Sequence, residues 1–203
     1  MNLFYEDDKI EVGLDEAGRG CLFGPVFTAG VIWNGEKNDD IIDSKLISKK
    51  KIEKIKEYIE NNCVSYHVQD ISSDCIEKYN ILQSTIRGWH KCLDKINDDI
   101  PIDQILVDGP NFNWYTDKSD NILPHICING GDNLYTPIAA ASVLAKTHRD
   151  KYIDNLVLNN PELKLYDIHN NKGYGTKKHI DAIKKYGITK WHRKTFGICK
   201  NYN

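Results

Sequence analysis

The chain has 203 residues, of which 40% are hydrophobic and 28% charged, and its formal net charge is −2. That length suits one domain with a full hydrophobic core, and the composition excludes disordered, collagen-like and coiled-coil chains. No apolar run approaches the roughly 18–20 residues that span a bilayer, and the opening Met1-Asn2-Leu3-Phe4-Tyr5-Glu6-Asp7-Asp8 lacks the basic-then-apolar pattern of a secretory signal.

The low net charge hides a split. Residues 1–145 carry 14 Lys+Arg and 24 Asp+Glu, a balance of −10, whereas residues 146–203 carry 13 and 5, a balance of +8. Such asymmetry describes an acidic body with a basic face, which is either a solvated Lys-rich surface or a nucleic-acid grip. The six cysteines stand at 21, 63, 75, 92, 127 and 199. No two lie two to four apart, so no zinc half-site is present. Without an export signal they are expected to be reduced and mostly buried, in a cytoplasmic or other reducing compartment.

In chain order, residues 9–16 alternate Ile10, Val12 and Leu14 with polar or small partners, which predicts a strand running into the turn Ala17-Gly18-Arg19-Gly20. A second strand is expected over 26–33, closed by Asn34-Gly35. Ser48 is placed to cap a helix reaching about residue 61, with Ile52, Ile55 and Ile59 at helical spacing. Residues 64–68 read as a third strand. Leu82, Ile86, Trp89, Leu93 and Ile96 make one apolar face, which predicts a helix over about 80–96. Residues 104–108 form a short apolar strand stopped by Gly109-Pro110, and 124–128 another, broken by Gly130-Gly131. Thr136-Pro137 is read as N-cap and first turn of a helix to about 158, before Pro161. A last helix is expected from the Thr176 cap to Tyr186, ended by Gly187. Early strands and later alternation with helices predict a mixed sheet flanked by helices.

The chemical signal is the placement of acids. Asp15-Glu16 ends the first strand, Asp108 ends an apolar strand, and Asp132 follows two glycines before a helix. Acids at the ends of neighbouring strands point into one crevice. Taken singly, Asp108 and Asp132 read as ordinary turn or cap residues. The adjacent pair Asp15-Glu16 is different, because two acids there repel each other and are costly to desolvate without a cation. An oxygen-only ligand set of this kind suits Mg²⁺ or Mn²⁺, and two such ions are able to clamp both oxygens of a displacement at phosphorus.

The ordered blocks then resemble one family. Asp15-Glu16-Ala17-Gly18-Arg19-Gly20 with Gly24-Pro25-Val26 resembles the opening motif of type 2 ribonuclease H, ribonuclease HII. Asp43-Ser44-Lys45, Asn80-Ile81-Leu82-Gln83-Ser84-Thr85, Val107-Asp108-Gly109, Gly131-Asp132, the run from Ile138 to Lys146 with Arg149-Asp150, Lys172-Gly173-Tyr174-Gly175-Thr176, and His192-Arg193-Lys194-Thr195-Phe196 follow in order. The resemblance covers about residues 10–197. Gly-Arg-Gly separates it from the Gly-Thr-Gly variant of the type 3 enzyme. Asn171 stands where many relatives have His.

The resemblance implies an α/β, ribonuclease H-like fold: a five-stranded mixed sheet flanked by helices, with a C-terminal helical extension. Residues 1–160 would be the catalytic unit and 161–203 the basic extension, packed as part of one domain. It implies Asp15, Glu16, Asp108 and Asp132 as ligands of two Mg²⁺ or Mn²⁺ ions. The implied reaction is hydrolysis of RNA in RNA–DNA hybrids and nicking 5′ of single ribonucleotides in duplex DNA, leaving 3′-hydroxyl and 5′-phosphate ends. Gly18, Arg19 and Gly20 would read the 2′-hydroxyl, and Tyr174 would pack on the following sugar. Ser142, Lys146 and Lys45 would lie near substrate phosphates. Lysines 172, 177, 178, 184, 185, 190 and 194, with Arg193, would hold the duplex. The cysteines and His192 receive no chemical role. The final residues 197–203 lack a Gln-led aromatic sliding-clamp motif, so clamp recruitment through that tail is not expected; the protein is expected to be a monomer. The competing reading is a non-catalytic nucleic-acid-binding module of the same fold.

Overall fold

The first strand, β1 (Glu11–Ala17), runs between β2 (Val26–Ile32), antiparallel to it, and β4 (Gln104–Asp108), parallel to it. A computed structural model describes residues 1–33, 35–42, 44 and 47–202; the candidate Lys45 and its neighbour Asp43 lie outside the described residues. Strand β3 (Ser65–Ile71) pairs antiparallel with β2, and β5 (His125–Ile128) parallel with β4. The five-stranded mixed sheet therefore has the order β3-β2-β1-β4-β5.

The pleat of β1 and β2 decides what each face meets. Val12, Leu14 and Ile32 point to the face covered by α2 (Ser73–Asn97), where they join Ile86, Trp89, Leu93 and Ile96. Ala29 and Val31 point to the other face. There they meet α1 (Lys49–Asn62), through Ile52, Ile55 and Ile59, and the alanine-rich start of α3 (Thr136–Asn159). With both faces covered, every residue of β2 is buried. Small residues let α3 lie directly on the sheet. At Gly13 a Cβ would stand 2.3 Å from the carbonyl carbon of Pro137, so backbone meets backbone.

The C-terminal segment holds a 3₁₀ turn (Pro161–Tyr166), the single-turn helix α4 (Ile168–Asn171), α5 (Lys177–Tyr186) and a final 3₁₀ turn (Gly197–Tyr202). Leu163, Tyr166, Ile168, Ala182, Ile183 and Cys199 pack there against Phe23, from the β1–β2 connection, and Ile153 and Val157 of α3.

Some boundaries differ from the sequence reading. Helix α2 begins at Ser73, capped by Ser72, which accepts from Cys75 N. It breaks at Asn80 (φ 65°, ψ 168°), whose side chain accepts from Gln83 N at 3.1 Å and restarts the helix. The expected start at residue 80 is thus a true cap, with one further helical stretch before it. Thr136 does not cap α3. Tyr135 holds the N-cap position, and the Thr136 hydroxyl donates instead to the Asn2 carbonyl. Only three of the six cysteines (21, 92 and 199) are buried; Cys127 is exposed on the edge strand β5. Among the described residues no helix is long and apolar enough to cross a membrane.

Because backbone on both sides fixes the Gly13 contact, Gly13→Ala should destabilise the protein by about 2–3 kcal/mol, the scale of core overpacking. Urea unfolding checks this, and an unchanged midpoint would show that α3 does not press on β1 there.

Candidate active site

Strands β1, β4 and β5 are mutually parallel, so their C-terminal ends share one edge of the sheet. Asp15 stands near the end of β1 and Asp108 is the last residue of β4. Asp132 comes two residues beyond the left-handed Gly130, in the turn after β5. One ligand oxygen from each of Asp15, Asp108 and Asp132 lies within 4.8 Å of the other two. Gly131 allows this approach, since a Cβ there would sit 2.6 Å from Ile138 Cδ1 and 3.5 Å from Asp108 Oδ1.

Glu16 joins the same cleft but stands apart from this group of three. Its place in the strand explains why. Asp15 shares the α3-facing side with Gly13, while Glu16 shares the opposite side with Leu14. The Glu16 carboxylate pairs with Arg19 at 3.4 Å.

Asp15 is held from both sides. Its backbone carbonyl accepts from Trp89 Nε1 at 3.0 Å, and its side chain is bonded by the Glu16 N–H and the Ser142 hydroxyl. Those bonds favour the carboxylate, but burial, followed by the charges of Glu16 and Asp108, pushes the Asp15 carboxyl well above the usual aspartate range. Clustered, largely dehydrated carboxylates of hard oxygen character suit a hard divalent cation.

The cleft has a volume of about 220 Å³ and is also lined by Gly18, Arg19, Gly20, Ser142, Lys146 and Tyr174. Every candidate among the described residues except Asp132 therefore lines it, and Asp132 lies against it through Asp108. Ser142 also shares a hydrogen bond of 3.0 Å with Ser44 Oγ. Lys146 pairs with Asp150 at 3.0 Å, as their i, i+4 spacing predicts. Tyr174 is half exposed. Burial raises the thiols of Cys63 to about 11 and Cys92 to about 12, so neither offers a thiolate.

The comparisons with known proteins agree with this geometry. The family described as Ribonuclease HII matches over residues 12–199. A protein named ribonuclease HII from Parabacteroides distasonis is 42% identical over 196 residues, 96% of this chain and 94% of its own length. The chain belongs to the ribonuclease HII family. It is a ribonuclease H, an endonuclease that hydrolyses phosphodiester bonds. The non-catalytic reading is thereby set aside. The fold agrees as well. The ribonuclease H2 of Pyrococcus horikoshii OT3 superposes with a TM-score of 0.72 at 20% identity, covering 95% of this chain and 96% of that one. A ribonuclease HIII, Bst-RNase HIII, solved in complex with Mn²⁺, gives 0.68 at 19% identity, covering 95% and 68%.

Two residues escape the sequence reading in their true role. Arg149 is 1% exposed, and its guanidinium donates to the carbonyls of Phe23 (3.2 Å), Pro25 (3.2 Å) and Lys172 (2.8 Å). It bolts the segment after β1 to the loop that presents Tyr174. It also fills the space beside Gly18 (φ +90°), where a Cβ would lie 2.0 Å from Arg149 Nε. Arg193, expected among the cations that grip a duplex, is instead internal. Arg193 is fully buried and donates to the carbonyls of Gly24 and Arg19, both at 2.9 Å. In sequence both look like surface basic residues, and only their surplus of donors for loop carbonyls hints otherwise. Asn171, the departure noted above, is buried and organises the same loop. Its side chain donates to Tyr166 O and accepts from Gly173 N, each at 2.8 Å.

The raised Asp15 carboxyl has a consequence for stability. The folded chain holds this proton to higher pH than the unfolded chain does. The contribution of this group to stability is therefore fully present below the ordinary aspartate range and is lost as pH rises through the raised folded value. With divalent ions chelated, Asp15→Asn should raise stability at pH 7, and the gain should shrink toward pH 4. Urea midpoints of the two proteins across pH check this. A variant no more stable than wild type at pH 7 would remove the electrostatic cost.

Proposed function

We propose that Asp15, Glu16, Asp108 and Asp132 together hold two Mg²⁺ or Mn²⁺ ions, and that the protein cuts RNA in RNA–DNA hybrids and 5′ of single ribonucleotides in duplex DNA. The observation that carries this reading is the convergence of three aspartates within 4.8 Å at one sheet edge, with Glu16 lining the same cleft. Bound divalent ions supply Lewis acidity at the scissile phosphate.

The chain's own residues supply position. Ser142 orients the Asp15 carboxylate. Lys146, about one-third exposed and paired with Asp150, lies at the cleft to attract a phosphate. Gly18 and Gly20 divide the labour of the loop. Gly18 is required by its φ of +90° and by Arg149 behind it. Around Gly20 nothing lies within 4 Å of an added Cβ, so packing does not demand a glycine there. Its bare backbone is free to approach a 2′-hydroxyl, the group that separates RNA from DNA. Tyr174, across the cleft, would rest on the next sugar and disfavour a 2′-hydroxyl there. Ser44 shares a hydrogen bond with Ser142 at the cleft, and Lys45 would contact a substrate phosphate. The exposed lysines 177, 178, 184, 185, 190 and 194 would grip duplex phosphates, with binding that weakens steeply with salt. Products would carry 3′-hydroxyl and 5′-phosphate ends.

A DNA duplex with one ribonucleotide, incubated with Mg²⁺ or Mn²⁺, should be nicked 5′ of that ribonucleotide. Asp108→Asn should lower the rate by about 100-fold or more while leaving binding measurable. Gly20→Ala should keep wild-type stability and still lose activity toward the ribonucleotide. No nicking with either metal, or full activity in Asp108→Asn, would overturn the proposal.

A further inference from the structure

His179 of α5 and His192 of the segment beyond it take no part in the chemistry above, yet both rings are sealed inside the protein, 0% and 1% exposed. Their Nε2 atoms lie 3.1 Å apart. Two nitrogens at that distance bond only if one carries a proton and the other does not. The remaining contacts decide which.

His192 Nδ1 receives the backbone N–H of Thr189 at 2.9 Å, so Nδ1 is the bare, accepting nitrogen and the His192 proton sits on Nε2. His179 Nδ1 lies 2.9 Å from the carbonyl oxygen of Tyr174, which only accepts. His179 therefore carries its proton on Nδ1 and offers a bare Nε2 to His192. The chain of bonds runs one way: Thr189 N–H to His192, His192 Nε2–H to His179, His179 Nδ1–H to Tyr174. Each of these nitrogens is satisfied when both rings are neutral. A second proton on either ring sets two donors face to face or removes an acceptor. The surroundings keep the rings neutral. Phe23 and Tyr166 pack on both, and burial lowers both rings below the usual histidine range, His192 to about 3.

We infer that His179 and His192 form a proton-ordered pair of positioning residues that fixes the backbone of Tyr174, and through it the preference of the enzyme for an RNA-to-DNA junction. The Tyr174 carbonyl accepts twice, from His179 and from Thr176 N at 2.8 Å, at the point where the loop enters α5. The Thr176 hydroxyl caps that helix by accepting from His179 N. The same residues are joined to the Gly18–Gly20 side of the cleft, since Leu22 N donates to Gly173 O at 2.9 Å and Arg193 N to Leu22 O at 2.8 Å. The His pair thus ties the C-terminal segment to the loop that carries the Tyr174 ring. The inference rests on the reading of Tyr174 given above.

Two measurements test it. Proton–nitrogen spectra of the full chain with ¹⁵N-labelled histidine should show His192 as the Nε2–H tautomer and His179 as the Nδ1–H tautomer. Neither ring should titrate near the ordinary histidine pKa of about 6.5. The opposite tautomers, or an ordinary titration of either ring, would overturn the ordered pair whatever Tyr174 does. The second measurement compares kcat/KM on a single-ribonucleotide duplex with kcat/KM on a continuous hybrid. His179→Leu should reduce that ratio about three- to tenfold, the worth of one neutral hydrogen bond. His179→Asn, which keeps a donor near Nδ1, should restore much of it. Equal losses on both substrates in both variants would reduce the pair to a merely structural role. Tyr174→Ala separates the premises: if it leaves the ratio unchanged, the Tyr174 reading fails even where the tautomers are as stated. If His179→Leu fails to fold, His179→Asn and the spectra still decide.

Discussion

Three carboxylates from the ends of three parallel strands are pressed into one small volume. The parallel pairing of β1 with β4 and of β4 with β5 brings their C-terminal ends to one edge, and the pleat of β1 and the turn after β5 aim Asp15 and Asp132 at Asp108. Burial deepens the conflict, and the Asp15 carboxyl shows it by holding its proton well above the usual range. An arrangement of that kind costs stability in the free protein and is offset by the cores on either side of the sheet. The packing of α3 on Gly13 and the bond from Trp89 to Asp15 O keep the acids in place against their mutual repulsion.

The second organising element is cationic and internal. Arg149 and Arg193 spend their donors on carbonyls of the segment from Arg19 to Pro25 and of Lys172. An irregular loop normally leaves such carbonyls to water. Here two guanidiniums replace that water and hold the two sides of the cleft at a fixed separation. Part of the +8 of residues 146–203 is therefore scaffold, and the solvent-facing remainder comes from lysines. Under the proposed reading, in which this loop meets a 2′-hydroxyl, such stiffness serves discrimination, since an ångström of slack would blur a hydroxyl with a hydrogen.

Much of this was legible in the chain itself. The period-2 run located β1, and the short runs before Asn34-Gly35 and Gly109-Pro110 located β2 and β4; the acids near the ends of β1 and β4 do meet at one sheet edge. The apolar stripe of Leu82, Ile86, Trp89, Leu93 and Ile96 located the long part of α2. What stayed hidden depended on tertiary contacts. Ser73 to Tyr79 buries Ile76 alone, too little for an amphipathic signal. Thr136 has the residue type of a cap but is claimed by Asn2, 134 positions away. Arg193 was counted as surface charge because nothing local distinguishes a buried arginine from an exposed one. Glu16 lines the same cleft as Asp15, but its adjacency in sequence does not reveal that the pleat sets it on the other side of β1, where Arg19 meets it.

The central claim is that the clustered acids are a cation site. Anomalous diffraction from crystals of the protein soaked in Mn²⁺ tests it most directly. We expect strong manganese peaks in direct contact with carboxylate oxygens of Asp15, Asp108 and Asp132, and their loss in crystals of Asp108→Asn. Manganese bound only elsewhere, or an Asp15–Asp108–Asp132 cluster that stays empty at saturating Mn²⁺, would contradict it.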